Sequence, residues 1–312
     1  MRDLRIDNIK GLLIILTVFG HMLELTSGAT ASQLYRIIYS FHMPAFVFIS
    51  GYFARWNPKK LLSFYLPLYL ISQFAYLLFD QSFIGEKHLS AENFFTPYWH
   101  LWYLFALMMY QLLIPILSKI NGKKRIIAVI ISIAISLMLP LIKANLYPIS
   151  IGRFFAFLPF FAAGYFCGHG KKCFSNMTLI VPISLVFIMI NKNVSLKTLY
   201  GSFSYSEPSE MLIRAALILF SFGWISLLLH MPSTEGLFSF IGKNTLPIYL
   251  IHGAILRSIK IFGIKIENSL TALLLSAVIC TALANIHFQN LPKAVDTILK
   301  KVYNIVNCER SI

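Results

Sequence analysis

Apolar stretches of about 20 residues recur along the whole chain, separated by short polar breaks, and this length is what a helix needs to cross a bilayer. Ten such windows can be drawn, centred on 9–27, 36–54, 61–80, 100–119, 125–143, 150–169, 176–192, 210–230, 245–263 and 268–288. The pattern predicts an all-α polytopic membrane protein. About ten transmembrane helices would form a single bundle over 1–288, followed by a short basic tail over 289–312. The first window differs from the others. Its segment RIDNIKGLLIILTVFGH starts among the charges of Arg5, Asp7 and Lys10 and ends on His21. Lys10 and His21 are eleven residues apart, which on a helix is three turns plus about 20° and a rise of about 17 Å. Asp7, Lys10, Thr17, His21 and Glu24 fall within about 100° of arc on that wheel. An apolar helix therefore carries one polar stripe with a histidine expected well inside the bilayer, where ionisable side chains are costly. A seam of helix-to-helix hydrogen bonds would also account for such a stripe.

Composition agrees with the pattern. Of the 312 residues 57% are hydrophobic and 12% charged, and the mean hydropathy is +0.72. Soluble domains of this length do not have that composition. The first segment has no small-residue cleavage site and is read as a retained helix. A net charge of +15 invites thoughts of nucleic acid, but the basic residues sit in short breaks between apolar windows, where they set topology and meet anionic headgroups. No nucleic-acid partner is expected. Seventeen Lys and Arg residues lie on one set of ends and breaks and seven on the other, with Arg153, Arg214 and Arg257 within or at the edges of windows. The richer side, which holds both termini, is predicted to be cytoplasmic in a multi-pass protein of the cell (plasma or inner) membrane. Cys167, Cys173, Cys280 and Cys308 have neither metal-ligand nor disulfide spacing, and no metal and no bound cofactor are expected.

Beyond the first window, the second reads YSFHMPAFVFISGYFARW. Its Ser50-Gly51 pair before Tyr52 permits close approach of another helix or of a ligand. Arg55, Lys59 and Lys60 follow, as ordinary topology charges or as a phosphate clamp. The segment PYWHLWYLFAL gathers Trp99, His100, Trp102 and Tyr103, either as an interfacial aromatic belt or as faces for a sugar ring. Arg153 opens GRFFAFLPFFAAGYFCG, where it snorkels outward or faces a polar cavity. Tyr249 and His252 share a face in NTLPIYLIHGAI.

Taken together, Lys10 with His21, FHMP with Ser50-Gly51-Tyr52, WHLWYL, RFFAFLPFFAAGY and YLIH resemble the membrane acyltransferase type 3 family. The similarity is greatest to its fucose 4-O-acetylase-like polysaccharide acetyltransferases, and it spans about 1–260. The resemblance implies an O-acetyltransferase that moves acetyl from cytoplasmic acetyl-CoA, a donor substrate, to a hydroxyl of a cell-surface glycan acceptor. It implies His21 as the catalytic residue, with Lys10 as its basic partner on the first helix; acyl transfer chemistry then suggests His21 as a base or an acyl relay, with Glu24 orienting it. Lys10, Ser50, Gly51, Tyr52, Arg55, Lys59 and Lys60 are the expected acyl-CoA contacts, although the family's two arginines three apart are not present in that spacing. Trp99, His100, Trp102, Tyr103, Arg153 and His252 are the expected acceptor contacts. The partners are then the donor, the glycan and the lipid bilayer, and a homo-oligomer is left open. The competing class is a transporter or flippase for a sugar or lipid-linked glycan, which would build charges into two matching halves; the sequence shows no such internal symmetry.

Overall fold

The computed structural model describes residues 3–85, 89–142, 150–170, 176–191, 198 and 204–286. The expected basic tail over 289–312 lies outside the described residues, as do Cys173 and Cys308. Every regular element among the described residues is helical. Helix α1 is Leu4–Leu23 and α2 is Ala29–Tyr52. A helical stretch from Pro58 passes through a π turn at Leu61–Tyr65 into α3, Leu66–Phe83. The short α4 is Ala91–Phe95, and a 3₁₀ turn at Trp99–Leu101 leads into α5, Trp102–Leu117. Then come α6, Lys124–Met138; α7, Ile151–Gly168; α8, Ile180–Ile190; and α9, Ser209–Leu228. The short α10, Leu237–Lys243, precedes α11, Thr245–Ile261, and α12, Ser269–Ala284.

A helix lies at each of the ten expected windows, but only six are both long and apolar enough to span a membrane on their own. They are the helical stretches Leu4–Leu23, Pro58–Phe83, Trp99–Leu117, Lys124–Leu141, Ile151–Gly168 and Ser209–Leu228. Helices α8 and α12 are apolar but shorter. Helix α2 has 24 residues, yet Arg36, Ser40, His42, Ser50 and three tyrosines dilute its hydropathy.

Helix α1 is the most buried of the six and is the axis of the bundle, packed against α2, α10, α11 and α12. Its starting turn is fixed by Asp3, whose carboxylate accepts from the Arg5 backbone N–H at 3.0 Å. Asn8 then ties it to the chain before α10, donating to the carbonyls of Pro232 and Thr234 at 2.9 Å each. Gly11 and Gly242 let α1 and α10 touch backbone to backbone: a Cβ on Gly11 would strike the Phe238 carbonyl, and one on Gly242 the Asp7 carbonyl. The α2–α7 contact is built the same way from Gly51, Gly164 and Gly168, set against the backbone at Phe161, Phe48 and Tyr52. At the bundle's outside, α6 presents Ile126, Ile127, Ile130, Ile131 and Met138 bare. Such an apolar exterior suits hydrocarbon and not water.

Candidate active site

The two glycine seams hold α1 on one side and α2 on the other, and between them the bundle leaves a cavity of about 540 Å³. One face of α1 forms its long wall, with Lys10, Ile14, Thr17, His21 and Glu24 along it. From Lys10 to Glu24 that wall runs about 21 Å at 1.5 Å per residue. Opposite it, α2 contributes Tyr39, His42, Met43, Phe46 and Ser50 at helical spacing. The π turn swings Phe64 and Tyr65 into the space, and such turns recur at functional sites. Trp99, His100, Trp102 and Tyr103 close a third side, with Arg153 from α7 and with Tyr249 and His252 from α11.

At one end stands Lys10, its Nζ 3.6 Å from Asp7 Oδ1. Lys60 lies over the rings of Phe64 and Tyr65, two residues of the lining, at 5.9 and 5.2 Å from their centroids. Arg55, Lys59 and Lys60 are all exposed, and none of them lines the cavity itself. Midway, Ser50 Oγ and Tyr103 Oη are hydrogen-bonded at 2.7 Å. Gly51 and Tyr52, expected beside Ser50 as donor contacts, sit instead in the α2–α7 seam. Their position answers the choice left by the sequence in favour of helix packing.

At the far end His21 occupies the last turn of α1, closer to the helix terminus than the sequence suggested. Its burial comes from what covers it, chiefly Trp99, whose ring centroid is 4.6 Å from that of His21. His21 Nδ1 lies 3.1 Å from Glu24 Oε1 and 2.7 Å from Tyr39 Oη. Tyr39 and Tyr35 donate to the same carboxylate oxygen at 2.8 and 3.3 Å. A carboxylate oxygen can only accept, so Nδ1 carries the ring proton, and the neutral imidazole keeps a lone pair at Nε2. Glu24, itself steadied by two phenols, thus fixes both tautomer and ring orientation. Tyr35 and Tyr39 were not singled out in the sequence, although Tyr39, His42 (or Met43), Phe46 and Ser50 recur every three to four residues along α2. That periodicity was the available signal.

Trp99 has φ of 30°, a left-handed backbone rarely adopted by bulky residues and costly to hold. The strained turn stands His100 against α11, where Tyr249 Oη donates to the His100 carbonyl at 2.9 Å. Arg153 packs over the Trp102 ring at 5.1 Å from its centroid, a cation on an aromatic face. The expected acceptor residues thus meet in one wall. Among the described residues, no group of three His, Cys, Asp or Glu side chains could hold a metal ion.

Comparison with known proteins bears directly on this geometry. Residues 3–286 match the family described as acyltransferase domain. The chain belongs to that family. The match covers α1 to α12, so every wall of the cavity falls inside the acyltransferase domain. The chain is also 24% identical over 332 aligned residues to nodulation protein NolL of Mesorhizobium japonicum, covering 90% of this chain and 84% of that protein. A local match to NolL of Sinorhizobium fredii reaches 48% identity over 58 residues, 17% of this chain and 16% of the relative. No solved structure matches the chain significantly. The protein is an acyltransferase, and its family and apolar helices make it a multi-pass membrane protein.

Proposed function

We propose that this acyltransferase takes acetyl from acetyl-CoA at the cytoplasmic side of the cell membrane and places it on a hydroxyl of a surface polysaccharide or other glycan. The observation that carries the reading is a single cavity with Lys10 along its wall at one end and a carboxylate-oriented imidazole at the other. Lys10 and His21 are eleven residues apart on α1, about 17 Å of rise, which is a fitting reach for the thin pantetheine arm of CoA. Lys10 and Lys60 would meet the CoA phosphates, with Arg55 and Lys59 adding positive charge outside. The Ser50–Tyr103 hydroxyl pair lies along the arm's path. Both termini lie on the cytoplasmic side in this arrangement, as the Lys/Arg bias requires.

In the reaction His21 Nε2 takes the proton of the acceptor hydroxyl as its oxygen bonds to the thioester carbon. The carbon–sulfur bond breaks, and the CoA thiolate leaves with the proton returned by the imidazolium. Glu24 stabilises that imidazolium. The Nδ1–Glu24 contact leaves the Nε2 lone pair free for this base role. The aromatic wall of Trp99, Trp102 and Tyr103 supplies faces for a sugar ring, with Arg153, His100 and His252 as polar contacts.

Native membranes incubated with radiolabelled acetyl-CoA should place label in surface glycan, and membranes lacking the protein should not. Gene-dependent sugar movement without any acetyl transfer would overturn the assignment in favour of transport. Lys10→Gln should raise KM for acetyl-CoA about tenfold, the loss of one charged contact, with little change in kcat. A fall in kcat at unchanged KM would place Lys10 outside the donor site.

A further inference from the structure

Three ring nitrogens at the His21 end of the cavity are buried without a hydrogen-bond partner among the described residues: Nε2 of His252 and both Nδ1 and Nε2 of His100. Unpaired buried polar atoms are rare and costly, and in a cavity wall they mark where the polar groups of a ligand belong. The hydrogen-bonding character of each can be worked out. His252 Nδ1 lies 2.9 Å from both the Ile248 and the Tyr249 carbonyl oxygens. Carbonyls only accept, so Nδ1 carries the proton, and the neutral ring offers nothing but a lone pair at Nε2. His100, free at both nitrogens, brings one N–H and one lone pair in its neutral form. The two rings are 4.8 Å apart between centroids. A donor on one and an acceptor on the other is the complement of a single hydroxyl group.

The fold spends effort to keep His100 there. A Cβ on Gly253 would strike the ring at Cε1, so only glycine leaves it room. The strained Trp99 backbone, and Tyr249 one turn earlier on the same helix through its bond to the His100 carbonyl, hold the segment in place. Meanwhile His21, whose centroid is 5.7 Å from that of His252, also offers only a lone pair at Nε2. Both rings line the cavity, so two acceptor-only nitrogens stand on neighbouring rings of its wall, and each would take its own O–H.

We propose that the acceptor is a vicinal diol, with one hydroxyl acylated at His21 and its neighbour held between His100 and His252. Hydrogen bonds of about 2.8 Å from adjacent hydroxyls can serve both rings at once. The reacting hydroxyl passes its proton to His21 and forms the ester bond as the carbon–sulfur bond breaks. The anchoring hydroxyl keeps its proton, donating it to His252 Nε2 while accepting from the His100 N–H. His100 and His252 are thus specificity-determining contacts that select where on the sugar the acyl group goes. The inference rests on the acetyl-transfer reading above.

The test has two parts. Surface glycan from cells expressing the intact protein is analysed by two-dimensional NMR to locate the gene-dependent acetyl group. It should lie on a carbon whose neighbour carries a free hydroxyl; an acetyl flanked only by substituted or deoxy carbons overturns the diol. In membranes, His252→Phe and His100→Phe, which keep a ring but lose the nitrogens, should cut glycan acetylation at least 100-fold. Acetyl-CoA should still protect both purified variants against thermal unfolding as it does the parent. Gly253→Ala, which displaces His100 without deleting its nitrogens, should fall between them and the parent. Full acetylation by either Phe variant overturns the anchor. If the parent itself leaves no acetyl on any glycan, the acetyl-transfer reading fails, and the diol with it.

Discussion

Membranes carrying His21→Ala should transfer acetyl to glycan about 10³-fold more slowly than the parent, within the range that general base catalysis contributes. The size follows from the site: the His21 ring lies 4.6 Å from that of Trp99 between centroids, and its Nδ1 is held by Glu24 and Tyr39 at 3.1 and 2.7 Å. Removing the ring removes the imidazole nitrogen that takes the hydroxyl proton. Glu24→Gln keeps an oxygen for Tyr35 and Tyr39 but loses the charge that steadies the imidazolium, and should cost about 10- to 100-fold, mostly in kcat, as loss of a residue that orients the base does. Tyr39→Phe should cost less, because Glu24 still holds Nδ1. The measurement is initial-rate transfer from radiolabelled acetyl-CoA at saturating donor, with donor KM recorded beside it. Wild-type rates for His21→Ala would mean that the base lies elsewhere. Equal losses for Glu24→Gln and His21→Ala would mean that the pair acts as one unit.

How much of this could be read from the chain alone differed by element. The α1 stripe was legible because helical periodicity is local: Lys10, Thr17, His21 and Glu24 line up without reference to anything else. Helix positions were legible for the same reason. The second stripe, on α2, is equally periodic but made of tyrosine and phenylalanine, which read as interfacial or core residues until a cavity is seen behind them. The depth of His21 was misjudged because the apolar run continues past it to Leu23 and Leu25, whereas the helix ends at Leu23. Partners far away in sequence were out of reach altogether. Nothing local says that Gly253 makes room for His100, that Trp99 roofs His21, or that Gly51 faces Phe161 and not a ligand. The Arg/Lys cluster after α2 illustrates the same limit. Arg55, Lys59 and Lys60 are close in sequence and all exposed, yet only Lys60 lies over rings that line the cavity.

Gly164→Val should destabilise the protein more than any single change in the cavity, lowering its thermal unfolding midpoint in detergent by on the order of 10 °C. A side chain at 164 would run into the Phe48 carbonyl, and that obstacle is backbone, which has no alternative rotamer. The helices must separate or the segment must bend. Gly51 and Gly168 repeat the contact along the seam against Phe161 and Tyr52, so the displacement cannot be absorbed by a neighbouring turn. The site feels it through Ser50, which precedes Gly51 and holds Tyr103 at 2.7 Å, and through Arg153 and Phe157, which line the cavity from α7. Activity should therefore fall along with stability in Gly164→Val. The control is Gly236→Ala, where an added Cβ meets nothing within 4 Å and φ is 171°, extended backbone open to any residue. That variant should unfold with the parent. A Gly164→Val protein as stable as the parent would show that α2 and α7 tolerate separation, and the seam would then not be what sets these two helices against each other beside the cavity.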